Sequence, residues 1–289
     1  MQVSEYAQSS PKYPASLREI NSPPKLLYVL GDLPTEPAVA IVGTRRPTQY
    51  GRDVTYRLAA DLAGAGLVIV SGLAYGLDAV AHRAALDAGG KTVAVLAHGL
   101  DEVYPAVHHG LAEEILANGG SLVSEHPAQT PALPAYFAAR NRIISGLSLG
   151  VLVTEAAMES GTLITAEFAS DQNRLVMGVP GSINSERSAG PNNLIKKGAV
   201  PITDVVDVLA ALNFETGLVA ATPVRAASAS EAKLLGLMAE GTTNSQALIE
   251  ASGYSAAEFA NLISLMEITG KVANLGGGHW GVRGHKLKI

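Results

Sequence analysis

The chain has 289 residues, 47% of them apolar and 16% charged, with 30 glycines and a formal charge of −5. That length suggests two domains with room for a substantial core, and the composition excludes an intrinsically disordered chain. Zero cysteines exclude disulfides, thiol catalysis and Cys-ligated metal centres, while the acidic balance argues against nucleic acid unless cations are gathered locally.

Residues 1–10 carry neither the basic nor the apolar region of an export signal, so a cytoplasmic protein is expected. Residues 1–36 read as an extension packing on the core. Short β-branched runs follow at 39–43, 67–71, 92–97, 121–124, 150–155 and 175–179, with a weaker one at 199–203. They alternate with amphipathic stretches at 51–65, 76–88, 108–118, 134–147, 163–172 and 204–212. Near-continuous apolar strands separated by helices predict an α/β fold over 37–212, a doubly wound, mainly parallel sheet covered on both faces. The longest uncharged run, 62–77, is broken by Gly64, Gly66, Gly72 and Gly76 and is too short for a membrane span. No membrane contact is expected.

From 213 to 229 the rhythm gives way to Ala, Thr and Ser, as in a linker. Helices are expected at 230–240, 244–251 and 255–269, with a capping-box spacing at Ser255 and Glu258 and a break at Ser252-Gly253-Tyr254. A hairpin at 271–275 and 279–283, turned at Gly276-Gly277-Gly278, completes a small C-terminal winged-helix domain over 230–289.

In doubly wound sheets ligands bind beyond the carboxyl ends of the strands. The first strand there ends in Gly43-Thr44-Arg45-Arg46, where a dinucleotide fingerprint would need glycine in place of Arg45. Two guanidinium groups beside a helix start suit phosphate oxygens, the alternative being a pair of surface arginines. Ser71 and Gly72 expose backbone at the next strand end, and Ser160, Gly161 and Thr162 do so at a third, where they also fit a plain N-cap. Asp78 and His82 share a helix face, as two metal ligands or, more simply, as structural groups; no metal or other cofactor is expected. Arg140, Asn141 and Arg142 follow one another on a helix, so both arginines cannot face one pocket unless the helix begins there. Lys196 and Lys197 close a short helix begun by Pro191, a position lysines favour for dipole reasons alone. There is no P-loop and no G-x-S-x-G elbow, and the seven histidines form no spacing that identifies a base.

Taken together, AIVGTRRPTQYG (40–51), SGLAYGLDAVAHRAAL (71–86), TVAVLAHGLDEVYP (92–105), FAARNRIISGLS (137–148), TEAAMESGTLITA (154–166) and VPGSINSERSAGPNNLIKKGA (179–199) resemble the DNA processing protein A family, DprA or Smf. The resemblance spans about 11–212. It implies a Rossmann-like domain that binds single-stranded DNA, forms a homodimer and helps load the RecA recombinase during natural transformation. By motif, Gly43, Thr44, Arg45 and Arg46 would hold phosphates, Ser71, Gly72, Ser160, Gly161 and Thr162 would line the same pocket, and Arg140, Asn141 and Arg142 would sit at its rim. Lys196 and Lys197 are carried as further contacts, and Tyr136 or Phe137 as a ring on which bases could stack.

Two other functions compete. The same broad fold occurs in LOG-type nucleotide phosphoribohydrolases, but their catalytic Glu, three residues beyond the Gly-Thr pair, is Thr165 here; Glu125, Glu155 and Glu167 are the candidate substitutes. No catalytic residue is assigned and no enzyme is expected. A ligand-sensing transcription regulator would need its winged helix to meet duplex DNA, yet between Leu234 and Gly270 there is no Lys, Arg or His, while Glu240, Glu250, Glu258 and Glu267 are acidic. A protein-binding, regulatory or structural role is expected for that domain, with Arg283, Lys286 and Lys288 left for weak DNA contact.

Overall fold

The computed structural model describes residues 2–214, 226–269, 271–276 and 278–282. Most of the expected linker (215–225), together with Gly277, Arg283, Lys286 and Lys288, lies outside the described residues. The chain divides into two compact units, Met1–Thr216 and Gly217–Ile289.

The first unit opens with β1 (Ser4–Ala7), α1 (Ala15–Arg18) and β2 (Leu26–Gly31). The alternating part follows as β3 (Ala38–Val42), α2 (Gln49–Gly64), β4 (Val68–Ser71), α3 (Leu77–Asp87), β5 (Thr92–Val95), α4 (His109–Ala117) and β6 (Ser121–Ser124). It continues as α5 (Pro134–Gly146), β7 (Gly150–Val153), α6 (Thr162–Asp171), β8 (Leu175–Gly178), α7 (Ala189–Lys196), β9 (Val200–Pro201) and α8 (Val205–Ala211). The strands form one sheet in the order β1-β2-β6-β5-β4-β3-β7-β8-β9, parallel from β6 to β9. The expected doubly wound fold is present. The segment 1–36 does more than pack on the core, because β2 pairs antiparallel with β6 and β1 with β2, which extends the sheet at that edge.

Successive residues of β3 serve opposite faces. Val39 and Ile41 pack with Leu58 and Leu62 of α2 and Ala81 of α3, while Ala40 and Val42 join Ile143 of α5 and Ala166 of α6. Burial on both faces is why these strands read as unbroken apolar runs. The chain leaves β3 toward β4 on one side, and β7 later pairs with the other side, so the topological switch falls between β3 and β7. A crevice at the carboxyl ends of those strands follows from that order.

The second unit holds α9 (Ala229–Ala239), α10 (Ser245–Ser252), α11 (Ala256–Ile268) and the antiparallel pair β10 (Val272–Gly276) and β11 (His279–Val282). Ser228, Asn244 and Ser255 cap the three helices, and the Ser255–Glu258 capping box is formed. Leu234, Leu248, Phe259, Ile263, Met266 and Trp280 make its core. Three helices and a hairpin wing are the expected winged helix.

Candidate functional site

The crevice at the switch point is a cleft of about 690 Å³. Gly43, Thr44, Arg45 and Arg46 enter it from β3, Ser160, Gly161 and Thr162 from the loop before α6, and Phe137, Arg140 and Asn141 from α5. Glu186 and Arg187 line it from the turn between β8 and α7.

The β3 loop is held from three sides. The Thr44 amide donates to the Glu155 carbonyl at 2.7 Å, the Thr162 hydroxyl donates to the Gly43 carbonyl at 3.0 Å, and the Leu77 amide donates to the Thr44 carbonyl at 3.2 Å. Gly76, at φ +82, lies against the same loop, where a Cβ would run into the Thr44 carbonyl oxygen. Thr48 caps α2 by accepting from the Gly51 amide, and its own amide donates to the buried Glu155 carboxylate at 2.9 Å. This scaffold leaves the Arg45 and Arg46 side chains exposed. Arg45 lies over the Phe137 ring, 5.6 Å from its centroid, and Tyr104 packs on the same ring at 5.7 Å. Among the described residues neither Arg45, Arg46 nor Arg187 forms an ion pair with a carboxylate.

Arg140 is different. Its guanidinium is buried, donates to the carbonyls of Gly72 and Val95, and is held down to a pKa of about 10 by that burial, against the pull of nearby Asp78. Asp78 is also buried, which raises its pKa, and it accepts from the Gly72 amide at 3.1 Å. Arg140 therefore ties α5 to the ends of β4 and β5 and presents only part of itself to the cleft.

Several expected site residues sit elsewhere. The Ser71 hydroxyl is spent on the Ile41 carbonyl and the Gly72 amide on Asp78, so both residues lie behind the cleft wall. Arg142 forms two hydrogen bonds with Glu125, at 2.7 and 2.6 Å, and donates to the Ser22 carbonyl, which makes it a clamp on the N-terminal segment. Lys196 and Lys197 are exposed at the end of α7, which begins at Ala189, two residues before Pro191, and neither lines the cleft. Arg187 lines the cleft although no motif or spacing in the sequence marks it. His82 is fully buried and donates to the Thr92 hydroxyl, and among the described residues no cluster of three metal-ligating side chains exists.

The carboxylates named as substitutes for the hydrolase glutamate do not meet in the cleft. Thr165 is buried in α6, Glu155 is occupied by Thr48, Glu125 by Arg142, and Glu167 faces solvent, so none of the substitute carboxylates lines the cleft. No helix of the described residues is long and apolar enough to cross a membrane.

Residues 6–213 match the family model described as DNA recombination-mediator protein A, and residues 219–278 match the one described as DprA winged helix domain. The chain is 37% identical over 277 residues to Protein Smf of Escherichia coli (strain K12), covering 92% of this chain and 74% of that protein. Among solved structures it is similar to DNA processing protein A of Streptococcus pneumoniae, with a TM-score of 0.68 and 41% identity over 72% of this chain and 74% of that one. DNA processing protein A of Helicobacter pylori, solved for its single-stranded DNA binding mode, matches with a TM-score of 0.65 and 34% identity over 73% of this chain and 96% of that one.

Proposed function

The chain belongs to the DNA recombination-mediator protein A family, and from that premise we propose that it binds single-stranded DNA in the cleft between the ends of β3 and β7. The observation that carries the proposal is the set Arg45, Arg46 and Arg187, three guanidinium groups on one cleft, none tied to a carboxylate among the described residues. A guanidinium fork fits phosphate oxygens in pairs, and contacts to phosphates carry no sequence information, so the binding is independent of sequence. The Phe137 ring beside Arg45 offers a stacking surface for one base of the same strand. The relative from Helicobacter pylori, solved for a single-stranded DNA binding mode, supports this ligand over a nucleotide substrate. As a recombination mediator the protein would shield incoming strands and pass them to RecA during natural transformation. A homodimer would place two clefts on one particle and raise avidity for a strand that spans both.

The test is Arg45→Ala against a fluorescent oligo-dT. The dissociation constant should rise at least tenfold, about 1.4 kcal/mol, while the melting temperature stays that of the parent. Unchanged affinity would remove the cleft from the proposal.

A further inference from the structure

Glu155 stands just beyond the end of β7, is 1% exposed, and forms no ion pair among the described residues. A buried carboxylate is costly unless donors surround it. The donors it has come from one loop. Its carboxylate accepts from the Thr48 amide at 2.9 Å and from the Thr48 hydroxyl, while its backbone carbonyl accepts from the Thr44 amide at 2.7 Å. Thr44 and Thr48 are the two ends of the segment that carries Arg45 and Arg46. The start of α2, where the helix dipole favours an anion, adds to the compensation. Gly51 completes the fit, because a Cβ on that first turn of α2 would run into the Glu155 carboxylate. Glu155 does not line the cleft, so it grips the loop from behind.

We infer that Glu155 is the positioning residue of the strand-binding loop. It fixes Thr44 and Thr48 so that Arg45 and Arg46 line the cleft together, and it acts on the strand through those two side chains. The inference rests on the reading that both arginines meet phosphates. Its sign sets it apart from a field effect. A carboxylate near the phosphates repels them, so its removal would tighten binding if the field alone mattered. Removal of a positioning residue weakens binding, because preorganised groups must be held close to their productive geometry.

The test measures oligo-dT affinity and its salt dependence on the full chain, at a temperature well below the unfolding of every variant. Glu155→Ala should raise the dissociation constant at least about tenfold. The slope of log affinity against log salt should become shallower by about 1.4, the share of two phosphate contacts. A loss of stability that leaves the chain folded would move neither quantity. Glu155→Gln keeps an acceptor for the Thr48 amide and should bind more tightly than Glu155→Ala. Gly51→Ala should reproduce the loss by displacing the carboxylate. In the Glu155→Ala background the same methyl meets vacated space and is favoured over glycine in a helix. There it should raise the melting temperature and take away no further affinity. Unchanged or tighter binding by Glu155→Ala, beside weak binding by Arg45→Ala, would overturn the inference and leave the cleft reading standing. Additive losses from Gly51→Ala and Glu155→Ala would overturn it as well, since the two changes would then act at separate places. Unchanged binding by Arg45→Ala would remove both readings.

Discussion

Arg140, Asn141 and Arg142 are neighbours in sequence and have three different duties. Side chains two apart on a helix point about 200° from each other, so α5 could not turn both arginines toward one cleft. The spacing alone could not say which arginine would turn away. That is decided by Glu125 at the end of β6, which grips Arg142 in a half-open setting where the two side chains are only 15% and 19% exposed. Arg142→Ala should therefore behave as the opposite of Arg45→Ala. It strands Glu125 and releases the Ser22 carbonyl, costing about 2 kcal/mol, between the limits for exposed and buried pairs. Urea denaturation should show that loss while the affinity for oligo-dT stays within about twofold of the parent, well under the tenfold of 1.4 kcal/mol. A parallel loss of affinity would place Arg142 in the cleft after all. Arg187 shows the reverse problem, since a short turn after β8 delivers it to a loop more than a hundred residues away, and nothing local in the sequence records that meeting.

At the scale of elements, the strands of the parallel part were legible and the antiparallel pair β1 and β2 was not. The runs that became β3 to β8 are apolar because helices cover both faces, a demand written into every residue of each strand. β1 is a four-residue, largely exposed edge strand on which neither face imposes a pattern, and β2 alternates the buried Leu27 and Val29 with less buried neighbours over only six residues. The helix α3 adds a lock that its periodicity conceals. Thr92 of β5 donates to the Ile69 carbonyl of β4 at 2.6 Å and so accepts from His82 of α3, which fixes that imidazole as the neutral Nδ1–H tautomer with Nε2 buried and unpartnered. Burial, with lesser contributions from His108 and Arg140, lowers the His82 pKa to about 3. The unfolded chain takes up this proton near pH 6.5 and the folded chain does not, so the stability contribution is complete above about pH 6.5 and is lost toward pH 3, by up to about 1.4 kcal/mol per pH unit. Asp78 acts in the opposite sense, because its raised pKa lets the folded state bind a proton first as pH falls. His82→Gln separates the two. Denaturation measured from pH 6.5 to 4.5 should show a flatter or inverted pH dependence in the variant, and a slope equal to the parent's would rule out His82 as the source.

For the whole molecule, net charge points one way and local charge the other. Residues 1–212 carry 15 basic and 20 acidic side chains, so the unit proposed to bind DNA holds the entire deficit. Long-range attraction cannot assemble that complex; contact with Arg45, Arg46 and Arg187 must. Each phosphate contact on a single strand contributes about −0.7 to the slope of log affinity against log salt, so three contacts give about −2 per cleft. At low ionic strength the Debye length grows to about 30 Å and the strand meets the acidic surroundings, so the plot should bend toward weaker gain there. Arg187→Ala should make the slope shallower by about 0.7, the share of one contact. Lys196→Ala/Lys197→Ala, altering two cations outside the cleft wall, should leave it unchanged. A parent slope steeper than about −4 would require nearly twice the phosphate contacts that the three arginines provide. Its loss on removing the two lysines would move the binding path from the cleft to the end of α7.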